Sequence, residues 1–101
     1  MTPRGETLHL VIYDISSDKV RKKVADQLLD LGLVRAQYSV FIGTANQNRI
    51  DEITLFAEEH LSAKDRLYVI PISQDGLSES RQIGPGIDEE LVTGEALTRI
   101  I

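Results

Sequence analysis

The run Leu8-His9-Leu10-Val11-Ile12-Tyr13 most constrains what this chain can fold into. Aliphatic, β-branched and aromatic side chains in so short a run favour extended backbone, so it is read as a strand. Successive side chains of a strand point to opposite faces. Leu8, Leu10 and Ile12 therefore share one face, and Val11 shares the other with the amphipathic His9 and Tyr13. Leu67 to Ile72 repeats the arrangement, with Leu67 and Val69 opposed to Tyr68, Ile70 and Ile72. A strand that is apolar on both faces needs a cover on each. With 101 residues, 42% of them hydrophobic, the chain has enough material for one domain with a modest core.

The segments between these strands read as two helices and a β-ribbon. Ser17 is a suitable N-cap, Val20, Val24, Leu28 and Leu31 recur at helical spacing, and Gly32 supplies a stop. From Leu33 to Ala45 the chain alternates. Val34, Ala36, Tyr38, Val40 and Ile42 point one way, and Arg35, Gln37, Ser39 and Phe41 point the other, with Gly43 as a bulge or turn. Asn46 caps a second helix whose Ile50, Ile53, Ala57 and Leu61 follow one face, and Lys64-Asp65 marks the next turn.

The order strand, helix, strands, helix, strand predicts an α+β fold, a ferredoxin-like βαββαβ sandwich. Its antiparallel sheet carries both helices on one face. Pro71 suits this topology, because the last strand then lies at a sheet edge, where a missing N–H is tolerated. Residues 1–73 form the core domain. Residues 74–101 are a polar loop from Ser73 to Pro85 followed by a C-terminal arm, in which Val92 to Ile101 is a candidate extra strand. Two helices cover one face only, so the second apolar face calls either for a homodimer partner or for the arm folding back. The shortness of the arm favours the dimer.

Composition removes several classes of function. There is no cysteine, so disulfides, thiolate metal sites and cysteine nucleophiles are excluded. Met1 to Glu6 lacks the apolar stretch of a signal peptide, and no segment approaches the roughly 18 apolar residues of a membrane span. The expectation is a soluble cytoplasmic protein with no membrane association. The net charge of −5 is unevenly distributed. Residues 1–49 hold seven Lys and Arg against five Asp and Glu, and residues 50–101 hold four against eleven. A locally basic first half is thus hidden within an acidic chain.

The chemistry concentrates where the first strand ends. Asp14 lies there, followed by a helix whose first turns carry Lys19, Arg21, Lys22 and Lys23. One reading makes Asp14 a turn or cap acceptor for the backbone of Ser16 or Ser17. The other makes it an oxygen ligand for Mg²⁺ or Mn²⁺, which bind through one or two carboxylates, water and substrate phosphate. A two-fold axis near this strand end would bring in a second Asp14. Cations at a helix N-terminus oppose the macrodipole, and four of them together favour an anionic ligand. Arg35 adds a fifth cation, and Phe41 on the same side is placed either to stack on a base or to pack in an interface. His9 reads as a core or interface group, and His60 as a helix-end residue favoured by the dipole. No zinc spacing, Gly-rich phosphate loop or Ser-His-Asp arrangement is present.

Tyr13-Asp14-Ile15, the basic helix, the ribbon Gln37-Tyr38-Ser39-Val40-Phe41-Ile42-Gly43 and the last strand together resemble the second CRISPR-associated protein family, over about residues 7 to 73. The resemblance implies a small ferredoxin-like homodimer of prokaryotic adaptive immunity. It implies a metal-dependent endonuclease acting on RNA or DNA, or a dimeric bridge between integrase subunits during spacer acquisition. It also implies that Asp14 is the catalytic and metal-binding carboxylate, paired with its two-fold mate. Arg21, Lys23, Arg35 and Phe41 match family positions linked to activity or substrate contact, and Lys19 joins them as a substrate-binding candidate. The chain departs from the family pattern twice. Many members carry Glu where this chain has Ile42, and an acidic residue where it has Ser16 and Ser17.

Overall fold

A computed structural model describes residues 6–88 and Val92. Four strands and three helices follow one another as β1 (Glu6–Asp14), α1 (Asp18–Asp30), β2 (Val34–Gln37), β3 (Val40–Asn46), α2 (Gln47–His60), β4 (Arg66–Pro71) and α3 (Gln74–Ser78). The strands form one antiparallel sheet in the order β2-β3-β1-β4, the ferredoxin-like arrangement expected from the element order. Pro71 lies in β4, at the edge of the sheet.

The helix boundaries have local causes. The Ser17 hydroxyl accepts the Val20 N–H at 3.2 Å, and Asn46 Oδ1 accepts the Asn48 N–H at 2.8 Å, so each helix begins at its own cap. After α1 the chain reverses at Gly32, whose φ of +93° lies in the left-handed region that glycine enters without strain.

Both long helices cover the same face of the sheet. Val11 and Tyr13 of β1 and Phe41 and Ala45 of β3 pack there with Val24, Ala25 and Leu28 of α1 and Ile50 and Ile53 of α2. Gly43 is neither a turn nor a bulge. It sits within β3 with Leu33 directly over it, and an added Cβ would lie 3.1 Å from the Leu33 Cα. The reversal falls at Tyr38-Ser39 instead, and the irregularity falls in β2, where pairing shifts between Arg35 and Gln37.

Among the described residues, the second face is covered at one end. Leu8 and Ile42 are buried there beneath Leu77 and Val92, with Leu10, Ile72 and Ile87 packed around them. Ser73 to Pro85 is thus not loop throughout, for it contains the single turn α3, capped by Ser73. At the other end, towards Asp14, Tyr68 and Ile70 remain 53% and 41% exposed. The candidate strand Val92 to Ile101 lies outside the described residues apart from Val92, which is buried.

Candidate active site at the end of the first strand

β1 ends at Asp14, which pairs in register with Arg66 of β4, and both are exposed. The strand end is held firmly from the helix-covered side. Tyr13 is buried against Phe41, with ring centroids 6.2 Å apart. Its hydroxyl donates to the Tyr38 carbonyl at 3.2 Å, and its N–H donates to the Ser39 carbonyl at 3.1 Å. The β2–β3 reversal is thereby fastened beside Asp14.

The turn-cap reading of Asp14 fails because another residue fills that role. Asp65, at the α2–β4 junction, accepts the Ser16 N–H at 3.0 Å and the Ser16 hydroxyl at 2.8 Å through Oδ1, and the Ser62 N–H at 2.9 Å through Oδ2. These bonds, from the Ser62 and then the Ser16 backbone, lower the Asp65 pKa from its ordinary 3.8 to about 2. Ser17 meanwhile caps α1. Among the described residues the Asp14 carboxylate has no hydrogen-bond or ion-pair partner.

A groove of about 650 Å³ opens beside Asp14, between α1 and the β2–β3 reversal. Arg21 and Lys22 line it from α1, and Arg35, Tyr38 and Ser39 line it from the ribbon. The Arg21 guanidinium is fixed by donating to the Ile15 carbonyl at 2.8 Å and to the Asp18 carboxylate. Lys22 pairs with Asp26 at 2.9 Å. Arg35 Cζ lies over the Phe41 ring, 5.0 Å from its centroid, and no carboxylate among the described residues pairs with it.

The structure thus gathers Asp14, Arg21 and Arg35 around one groove. Lys19 and Lys23 are exposed on α1 but do not line it. Phe41 requires a correction. Its ring has 0% exposure and forms part of the core, so a base cannot stack on it. The polar residues beside it in sequence belong to edge strand β2, whereas Phe41 itself lies in β3 beneath the helices. Ile42, where the family pattern has Glu, is buried on the opposite face. His9 is a buried group whose Nδ1 lies 2.8 Å from the Thr7 carbonyl, and His60 stacks on Phe56 at 4.1 Å.

Sequence reasoning did not single out three residues. Lys22 was counted only as one of the helix cations. Tyr38, 87% exposed at the groove, was visible only as part of the alternation. Asp65 appeared only as a turn marker, since its partner Ser16 is 49 positions away. Among the described residues no three His, Asp or Glu side chains converge as a ready-made metal cage. Asp14 remains the carboxylate free to take a hard cation, together with water and a phosphate oxygen.

A ferredoxin-like sandwich whose Asp14 carboxylate, without a partner among the described residues, lies beside a groove lined by Arg21 and Arg35 defines a class of small α+β proteins. Known proteins narrow that class. The family described as CRISPR associated protein Cas2 matches residues 7–79, and the chain belongs to that family. It is 44% identical over 85 residues to a CRISPR-associated endoribonuclease Cas2 of Korarchaeum cryptofilum, covering 82% of this chain and 91% of that relative. A protein of the same description from Desulforudis audaxviator is 33% identical over 84 residues, covering 80% and 79%. Among solved structures, hypothetical protein TT1823 from Thermus thermophilus superposes with a TM-score of 0.67 at 28% identity, covering 82% of this chain and 96% of that one. No helix among the described residues is long and apolar enough to cross a membrane.

Proposed function

We propose that this chain is a metal-dependent endonuclease that hydrolyses phosphodiester bonds, with RNA as its first substrate, and that Asp14 is its catalytic carboxylate. The observation that carries the reading is the state of Asp14, whose carboxylate has no partner among the described residues while the Ser16 donors go to Asp65. Two relatives named as endoribonucleases support RNA over DNA.

The residues have separable roles. Asp14 holds the cation through carboxylate oxygen. When bound, Mg²⁺ or Mn²⁺ would supply an acidified water and offset charge on the phosphate. Arg21 and Arg35 face the same groove and orient the phosphodiester, as two guanidinium groups held in place before substrate arrives. One carboxylate is a sparse ligand set, and a homodimer completes it. Strand alternation puts Asp14 on the face of Leu8, Leu10 and Ile12, at the end where Tyr68 and Ile70 are left uncovered. A second copy seated on that end would bring a second Asp14 to the first.

A scaffold role without turnover is the second reading, favoured by the absence of a three-carboxylate group among the described residues. In it the dimer bridges CRISPR integrase subunits across DNA during spacer acquisition, in the cytoplasm. Incubating purified protein with single-stranded RNA separates the two. Endonuclease action predicts cleavage with Mg²⁺ that stops on chelation and resumes on adding Mg²⁺ or Mn²⁺. Binding without cleavage at any metal concentration favours the scaffold.

A further inference from the structure

We propose that Asp65 is a positioning residue for Asp14, keeping that carboxylate open to a cation by monopolising the donors that would otherwise bind it. The inference rests on the endonuclease reading for its effect on rate, but its geometry stands apart from that reading.

An aspartate two residues before a backbone N–H ordinarily folds back onto it in an Asx turn. Asp14 and Ser16 have that spacing, and Asp14 does not make the bond. The Ser16 N–H and hydroxyl both go to Asp65 Oδ1, while Oδ2 is anchored by the Ser62 N–H. Asp65 is therefore a clamp between two chain reversals, with one oxygen on each. It remains ionised across ordinary working pH, so the clamp persists there. Removing it releases the Ser16 N–H and hydroxyl two residues from an unpaired carboxylate. Asp14 then turns onto Ser16, and its oxygens are no longer presented to the groove.

Asp65→Ala tests the proposal by crystallography and by kinetics. In crystals of the variant, an Asp14 carboxylate oxygen is expected within hydrogen-bond distance of the Ser16 or Ser17 N–H. In RNA cleavage with saturating Mg²⁺, kcat is expected to fall by about 10-fold or more at a temperature where melting curves show the variant folded, with KM little changed. Asp65→Asn keeps one acceptor oxygen for Ser16 and should recover part of the rate. Ser16→Ala, which removes only the hydroxyl donor, should lose less than Asp65→Ala. Asp65→Asn, which retains the side-chain shape, serves in place of Asp65→Ala should that variant not fold, with a partial loss of kcat expected and an unchanged kcat overturning the proposal. A purely structural role would lower the melting temperature and leave kcat of the folded fraction intact, which would overturn the proposal. So would an Asp14 carboxylate that stays unbonded in the Asp65→Ala crystals. If Asp14→Asn cleaves like the parent chain, the endonuclease reading falls, and the Asp14 position in the Asp65→Ala crystals still decides the positioning role.

Discussion

Asp65 holds Ser16 by both its N–H, at 3.0 Å, and its hydroxyl, at 2.8 Å, across 49 positions of sequence. The pair ties the β1–α1 junction to the α2–β4 junction, the two reversals that meet at one end of the sheet. Asp65 takes up both Ser16 donors two residues from Asp14, whose carboxylate has no partner among the described residues.

The Asp65 clamp predicts a specific pH dependence of stability. The folded-state pKa is depressed, from 3.8 to about 2, so its stabilising contribution is complete above pH 3.8 and is lost as pH falls through about 2. Urea melts at a series of pH values between 5 and 2 should show Asp65→Asn losing less stability over that interval than the parent chain. Parallel losses would show that the bonds to Ser16 and Ser62 contribute nothing to this dependence.

Phe41 belongs to the core, with its ring fully buried against Tyr13 and beneath Arg35. Phe41→Ala should therefore cost about 3–5 kcal/mol of stability, read by denaturant unfolding. Phe41→Leu, which retains most of the packing, should leave affinity for single-stranded RNA close to that of the parent. A loss of about 1–3 kcal/mol in binding by the folded Phe41→Leu chain would instead indicate base stacking.

Gly43 is required by the approach of Leu33. A Cβ there would lie 3.1 Å from the Leu33 Cα and 3.3 Å from its Cγ, and the backbone atom has little room to retreat. Gly43→Ala should destabilise the fold by about 1–3 kcal/mol, as overpacked cores do. A melting temperature unchanged in that variant would show that the crossing is looser than described.

No carboxylate among the described residues neutralises Arg35, and the proposed function gives it a phosphate contact. Arg35→Gln should weaken RNA binding and lower the slope of log affinity against log salt by about 0.7, the value for one phosphate contact on a single strand. Titrations at several salt concentrations give the slope directly. An unchanged slope would remove Arg35 from the binding surface.

Features governed by neighbouring residues could be read before the fold was known. Ser17, Gly32 and Asn46 act within a few residues of themselves, and they bound α1 and open α2 as their chemistry dictates. Pro71 announced an edge strand because a missing donor has few other places in a sheet. Phe41 was misread because alternation says which residues share a face but not which face the helices cover. Arg35 and Phe41 do share a face, yet one lies on the exposed edge strand and the other beneath α1 and α2. Gly43 looked like punctuation because the sequence does not show that Leu33 crosses it. Asp14 could be found from its place at a strand end, whereas its freedom depends on Asp65, a partner fixed only by tertiary structure.

The most direct measurement is the rate of RNA cleavage by Asp14→Asn in saturating Mg²⁺, with folding and oligomeric state checked on the same sample. Mutating groups that merely support a metal ligand already costs about 10–100-fold, so loss of the ligand itself should lower the rate by about 100-fold or more. The variant should remain folded and associate as the parent does, because the Asp14 side chain is exposed and makes no bond among the described residues. Cleavage by Asp14→Asn at the parent's rate would contradict the account, since the carboxylate at the end of β1 would then have no part in the reaction.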